Sequence, residues 1–285
     1  MSEHSGQWGV INGVSALRNW SIEDGYTDVP SVHSGSLHGT NRNRGIYDWT
    51  GSYSAYGGVP SVMPGEYFDL EAYKAPTAAG DPATGEIFTG EAYVISAAIT
   101  WNFQTNELIS HVVNFGGNGD LTKTDTDQIL DEAVVTEPTP CSSAIAYYVD
   151  PTLTKIAHVT QVVLTFTREA KTAVNSGTTA GTGKCTTLRH PGAAIDWTLA
   201  ITTEDGNEVS ALASGSTINI RAFVGAVDFW DLKWGIVGKR TGLQVDVETG
   251  NIISQVHNIA MKGFSSGVAG NITKPGEVTA WWPAA

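Results

Sequence analysis

Gly263-Phe264-Ser265-Ser266-Gly267 has the G-x-S-x-G spacing that, in hydrolases, lifts a serine onto a strand-to-helix turn where a histidine can take its proton. That chemistry also needs an acid and then a histidine further along the chain. No histidine follows His257, and Val268 to Pro275 carries no helical pattern, so the segment reads as a Gly/Ser loop. Gly181-Thr182-Gly183-Lys184-Cys185-Thr186 comes near a phosphate-binding loop. However, Thr178 stands where the first glycine is needed and Cys185 where the magnesium-binding hydroxyl is needed. Asp125-Thr126-Asp127 with Asp131-Glu132 gathers carboxylates as calcium loops do, but the sixth position, a glycine in such loops, is Leu130.

The seven histidines, His4, His33, His38, His111, His158, His190 and His257, never form H-E-x-x-H. The closest pair, His33 and His38, has no cysteine or third histidine beside it. His111 and His257 fall in strands that match each other, two positions apart on alignment, and are expected at surface or channel-facing polar positions. Cys141 and Cys185 belong to no C-x-x-C pair and read as free thiols of a reducing compartment. Asp48-Trp49 and Asp196-Trp197 could build sugar-stacking platforms, but an aromatic returning at one phase in two strands is what a shared core demands. The expectation is therefore no catalytic residue, no metal and no cofactor.

These side chains sit on a chain whose composition points to strands. Gly, Ser, Thr, Val and aromatics dominate, and the charged residues that coat surface helices make up only 16%. Acids outnumber bases 29 to 16, for a net charge of -13, which repels phosphate and argues against tight nucleic-acid binding. No apolar run approaches the ~20 residues of a bilayer span, and Met1 to Gly9 is polar without a leader pattern, so a soluble, unprocessed product is expected.

Period-two alternation runs through Tyr67 to Tyr73, Val94 to Phe103, Leu108 to Phe115, Ser216 to Val224 and Leu243 to Glu248. In the first of these, Phe68, Leu70 and Ala72 point one way and Asp69 and Glu71 the other, so one face is buried and one is wet. Thr105-Asn106 and Thr249-Gly250-Asn251 carry hairpin-turn residues between strands.

Four blocks recur in order. Val32 to Ser36 matches Val174 to Thr178, Ile46-Tyr47-Asp48-Trp49-Thr50 matches Ala194-Ile195-Asp196-Trp197-Thr198, Ser61 to Tyr73 matches Ala211 to Phe223, and Thr105 to Asn114 matches Thr249 to Asn258. Their offsets are 142, 148, 150 and 144 residues, different only by loop-sized insertions. The reading is an all-β chain of two tandem sandwich or barrel domains: residues 1–118, a linker over 119–155, residues 156–264, and a C-terminal arm over 265–285. A short helix is expected in the linker, capped by Thr124-Asp125-Thr126-Asp127 and running through Ile129, Leu130, Ala133 and Val134. The candidate repeat core is Trp49, Phe68 and Leu70 in the first copy and Trp197, Ile218 and Ile220 in the second.

Gly6-Gln7-Trp8-Gly9-Val10-Ile11-Asn12-Gly13-Val14, then Arg18-Asn19-Trp20, then Asp48-Trp49-Thr50-Gly51-Ser52-Tyr53-Ser54-Ala55-Tyr56-Gly57, resemble the tail tube (major tail) proteins of long-tailed phages. The likeness covers roughly the first 115 residues and reaches the second half through the repeat. It implies two β-sheets packed across each other with a small helix beside them, in subunits that close rings around a continuous inner barrel. Single-domain members of that family close rings of six, so two copies per chain imply rings of three chains with pseudo-sixfold symmetry. Such rings would be stacked in a virion tail with other tail proteins, and DNA would pass through without specific binding.

On alternation, Asp69, Glu71, Asp246 and Glu248 are the candidate channel-lining residues; an outer-surface position fits them equally. The loops His33 to Arg44 and Ala75 to Gly85 are long for hairpin connections and expected to reach a neighbouring ring. Two other classes fit the same strands. One is a carbohydrate-binding module with Trp8, Trp20, Trp49 or Trp101 exposed, and the other is a capsid decoration protein.

Overall fold

In the computed structural model, the described residues are 2–6, 8–11, 17–31, 41–73, 83–128, 145–149, 152–175, 185–192, 195–204, 212–225, 228–238, 254–262 and 272–276. They form eighteen strands. The first eight are β1 (Ser2–Gly6), β2 (Trp8–Ile11), β3 (Leu17–Ser31), β4 (Asn41–Tyr56), β5 (Tyr67–Tyr73), β6 (Ala83–Asn102), β7 (Ser110–Gly117) and β8 (Thr122–Gln128). Next come β9 (Ile145–Val149), β10 (Thr152–Lys155), β11 (Val159–Thr167), β12 (Ala170–Asn175) and β13 (Thr186–Pro191). The last five are β14 (Asp196–Glu204), β15 (Thr217–Phe223), β16 (Phe229–Val237), β17 (Ser254–Met261) and β18 (Ile272–Thr273). The protein is all-β, and among the described residues all but one of the pairings are antiparallel; the exception is a parallel bridge between Thr186 and Tyr47.

In the first half the hydrogen-bonded order is β2-β5-β6-β7-β4-β3, with β8 along the start of β6 and β1 on the far edge of β3. β6 is the pivot. Its first stretch lies between β5 and β8; beyond a register shift between Val94 and Ser96, its second stretch lies between β7 and β11. A bulge of this kind bends a strand and sharpens its twist, which brings β5 round to face β4 and β7. Phe68 on β5 meets Phe115 on β7 edge-on at 5.4 Å, and Tyr53 on β4 at 6.4 Å.

The second half pairs its strands in the order β9-β15-β16-β17-β14-β11, with β18 against β16. This is the first half's order, strand for strand, and the registers agree as well. Thr50 pairs with Gly116 and Thr198 with Ala260; Tyr67 pairs with Tyr93 and Thr217 with Ile236; Trp20 pairs with Tyr53 and Val162 with Ile201. Local details repeat too. Asp48 Oδ1 accepts from the Trp49 N–H at 2.9 Å, and Asp196 Oδ1 from the Trp197 N–H at 2.8 Å. Met63-Pro64-Gly65-Glu66 and Ala213-Ser214-Gly215-Ser216 each close with a 3.0 Å backbone bond from the fourth residue to the first. The third-position glycine has φ +99° in one turn and +87° in the other, the conformation glycine adopts without steric cost.

Trp49, Phe68, Leu70, Trp197, Ile218 and Ile220 are all buried, each stabilising the fold by roughly 1.5–3 kcal/mol. Alternation on β5 matches the expectation, with Phe68, Leu70 and Ala72 inside and Asp69 and Glu71 outside. Asn106, in the turn between β6 and β7, has φ +49° as its residue type foretold.

The expected helix start is corrected. Thr124 to Asp127 lies in β8, paired with Glu86 to Thr84 and Ile87 of β6, because Thr and Asp alternating at period two suit an edge strand as readily as a cap. No α-helix occurs among the described residues, and Ile129 to Val134 lies outside them. Of the stretch read as a linker, β8 pairs within the first half and β9 within the second. The long loops are shorter than expected at their ends, since Asn41 to Arg44 and Ala83 to Gly85 belong to β4 and β6.

Candidate functional site

Eight strands form one continuous layer across both halves, β3-β4-β7-β6-β11-β14-β17-β16, joined in the middle where β6 residues 96–102 pair with β11 residues 161–167. The inward side of this layer carries Trp20, Tyr53, Phe115, Trp101, Leu164, Trp197 and Ile259, all buried. Alternation then fixes the outward side. It presents Thr50, Ser52 and Ser54 on β4, Val112 and Asn114 on β7, and Ser96, Ala98 and Thr100 on β6. It continues with Val163 and Thr165 on β11, Thr198, Ala200 and Thr202 on β14, and Val256, Asn258 and Ala260 on β17.

None of these outward residues is ionisable. Hydrogen bonds tie several to one another: Ser54 Oγ donates to Asn19 Oδ1 at 2.6 Å, Asn114 Nδ2 to Ser96 Oγ at 2.9 Å, and the Ser21 and Ser52 hydroxyls lie 3.1 Å apart. An open trough of about 390 Å³ crosses the second half of this surface between Val163, Ala200, Asn258 and Ile236. Charge appears at the margins, as Glu23 on β3, Asp48 on β4, and Asp196 and Glu204 at the two ends of β14, where Gln104 Nε2 donates to Glu204 at 2.8 Å.

The second notable surface is the junction of the halves. The β12–β13 hairpin leaves the second half and lies on the first. Tyr47 N–H donates to the Cys185 carbonyl at 2.8 Å, Gly119 N–H to the Thr187 carbonyl at 3.0 Å, and the Tyr67 hydroxyl to the Arg189 carbonyl at 2.7 Å. Arg189 is the centre of the contact. Its backbone N–H donates to Asn118 Oδ1 at 2.8 Å, and its guanidinium donates to Asp48 Oδ2 at 2.9 Å and to the Gly117 carbonyl. The guanidinium lies over Gly116, in the space a Cβ would fill. A buried arginine is tolerable only when paired and hydrogen-bonded in this way.

Asp69 and Glu71 are exposed on β5, opposite Glu91 and Thr89 of β6, and Glu71 accepts from the Tyr73 hydroxyl at 3.1 Å. They belong to the layer of β2, β5 and β8, away from the eight-strand surface. Asp246 and Glu248 lie outside the described residues, as do the Gly263 to Gly267 segment, most of the Gly181 to Thr186 segment, and Cys141. Cys185 is an exposed free thiol.

Two expectations about polar side chains change. His111 and His257 are buried, at 3% and 1% exposure, rather than on a wet face. His111 Nδ1 lies 2.8 Å from the Gly57 carbonyl, and burial lowers its pKa below the ordinary histidine value. His257 lies 3.3 Å from the Thr203 hydroxyl. Trp20, Trp49 and Trp101 are also buried, and each indole N–H donates to a backbone carbonyl, of Tyr73, Gly119 and Phe223 respectively. These three therefore offer no exposed face for stacking on a sugar. Arg189 went unnoticed in the sequence, although it precedes Asp196-Trp197-Thr198 much as Arg42 precedes Asp48-Trp49-Thr50.

Among the described residues no three His, Cys, Asp or Glu side chains converge as a metal site would require, and no helix is long and apolar enough to cross a membrane. No protein-family model matches the sequence, and no curated protein matches it.

Proposed function

We propose that this chain is a self-assembling structural subunit of a phage tail tube, built by duplication of one β domain. In this reading three chains supply six domains to a ring, rings stack into a hollow conduit, and DNA passes along the bore without being held. Assembly takes place in the host cytoplasm, other tail proteins bind the ends, and no catalytic step is involved.

One observation carries the reading: the two halves share strand order and register, yet they meet head to tail, β6 of the first against β11 of the second. A junction between two unlike edges can be repeated from one domain to the next, and such heterologous contacts generate closed rings or open filaments. Closing the ring also removes the unpaired edges that an isolated sheet exposes.

The channel wall in this reading is the outward side of the eight-strand layer, uncharged in its middle with carboxylates at its margins, since that layer runs through both halves. Hydroxyls, amides and small apolar groups offer DNA phosphates no cation, and with no ion pairs to form, counterion release gives no affinity. Asp69 and Glu71, on the other layer, then face outwards from the bore.

Negative-stain electron microscopy of the purified chain tests the reading. Rings or hollow rods with six-fold modulation are expected; particles that stay single at every concentration overturn it. Glycan binding with quenching of tryptophan fluorescence would point instead to a carbohydrate-binding module.

A further inference from the structure

At Trp234 the match between the halves breaks. In the first half Asp69 on β5 pairs with Glu91 on β6, and its neighbours follow in unbroken register. In the second half the pairs Ile218↔Gly235 and Ile220↔Leu232 leave Asn219 facing two residues, Lys233 and Trp234. Two residues against one make a β-bulge. Trp234 takes φ +60°, a conformation that bulky side chains rarely adopt and glycine takes freely. Its N–H donates to Asn219 Oδ1 at 2.9 Å, and its carbonyl accepts from the Lys262 N–H at 2.9 Å, so the strained backbone is held on both sides. The indole gains little burial in return. It is 45% exposed, whereas Trp20, Trp49, Trp101, Trp197 and Trp230 are all inside. The regular pairing of the first half shows that the fold does not call for the bulge. Its effect is to hold an aromatic face towards solvent on a fixed backbone, and strain of this kind gathers at ligand sites.

The charges around the indole differ between the halves as well. Asn219 and Arg221 stand where the first half has Asp69 and Glu71, and Lys233 and Trp234 lie across from Asn219 where Glu91 lies across from Asp69. Arg221 lies over the Phe229 ring at 4.5 Å, and Asp231 lies 3.8 Å from both Arg221 and Lys233. The Lys233 side chain is still 41% exposed, and Lys262 is exposed, with Nζ donating to the Thr217 hydroxyl at 3.3 Å. In a chain of net charge -13, the acidic face of the first half thus has a counterpart that carries cations and an aromatic ring.

We propose that this surface of β15 and β16 binds a saccharide bearing a carboxylate. The negative face of the indole suits the C–H side of a pyranose ring, whose hydrogens are weakly positive. The Lys233 and Lys262 ammonium groups attract the carboxylate through charge-assisted hydrogen bonds, and Asn219 and Thr217 bring an amide and a hydroxyl to the sugar hydroxyls. A nucleic-acid strand would need successive stacking platforms and a run of cations along its phosphates, which one indole and two lysines do not supply. The site goes beyond the tube reading and does not depend on it. A chain that forms rings and binds the sugar carries the site on the assembled particle; one that binds it and stays single is the carbohydrate-binding module.

The test follows tryptophan fluorescence and calorimetry of the full-length protein. The acidic probes are sialyllactose and the tetrasaccharides of hyaluronan and polygalacturonate; lactose and cellotetraose are the neutral controls. The acidic probes are expected to change the fluorescence and the neutral sugars to bind more weakly. Trp234→Gly removes the indole at a position whose backbone suits glycine, so it should fold at least as well as wild type while losing binding. Trp234→Phe should keep part of it. The double exchange Lys233→Gln/Lys262→Gln should weaken the acidic probes about tenfold and leave the neutral sugars unchanged. Four results overturn the proposal: no response to any acidic probe, binding that survives Trp234→Gly, equal binding of the neutral sugars, or tighter binding of a thymidine oligonucleotide.

Discussion

Arg189 and Asp48, 141 residues apart in the chain, meet at 2.9 Å across the junction of the two halves. The arginine side chain is 6% exposed, while the carboxylate is 39% exposed. The two partners should therefore respond unequally to removal. Arg189→Ala strips donors from Asp48 and from the Gly117 carbonyl, and is expected to cost roughly 2–4 kcal/mol. Asp48→Asn keeps an acceptor in place at a partly wet site and should cost about 1 kcal/mol. Urea unfolding of the two variants checks the ranking; equal losses would mean that the guanidinium is not anchored as described.

Gly65 and Gly215 occupy equivalent turns with positive φ, but their surroundings differ. A Cβ on Gly215 meets nothing within 4 Å, whereas one on Gly65 meets the Arg168 side chain at 2.6 Å. Gly215→Ala is expected to cost about 1 kcal/mol from backbone conformation alone. Gly65→Ala should cost more, because Arg168 must also move. The difference between the two denaturation midpoints is the measurement.

His111 is neutral in the fold because burial lowers its pKa. As the pH falls below the unfolded value of about 6.5, the unfolded chain binds a proton that the folded chain resists, so stability is full above that pH and declines beneath it. The corresponding residue of the second half is Gln255, also buried, which makes His111→Gln the natural probe. The variant should flatten the melting temperature between pH 7 and 5 relative to wild type. An unchanged slope would assign the acid sensitivity to other groups.

Deleting residues 2–6 uncovers Trp20 to Asp24 on the edge of β3. An exposed strand edge is a template for pairing with another chain. The shortened protein is expected to associate at lower concentration than the full chain, as read by light scattering. If it stays monomeric while the full chain assembles, β1 is a required part of the interface rather than its cover.

Much of this architecture was legible before any coordinates. The offsets of the matched blocks, 148 for Asp48-Trp49-Thr50 and 144 for the strand of Ile109 to Asn114, return as the offsets between Thr50↔Gly116 and Thr198↔Ala260. Identical tripeptides signalled identical local geometry because the aspartate holds its neighbour's N–H in both places. The buried position of His111 was also readable from phase, since it alternates with Ile109, Val113 and Phe115, all inside; residue type was weighed above phase there. β8 was misread because a short run of Thr and Asp satisfies both a cap and an edge strand, and only its partner decides. The junction itself left little trace. Pairing of β6 with β11 spans some sixty residues and depends on which edges remain open once each half has folded, which local patterns do not encode.

β6, at 20 residues, is shared among β5, β7, β8 and β11. Two domains strung on a flexible tether would melt in separate steps, but here the second half cannot be stripped away without baring the strand that the first half is wrapped around. Heating should therefore give a single calorimetric transition whose enthalpy reflects the whole molecule. Such mechanical unity means that strain applied to one half is borne by both.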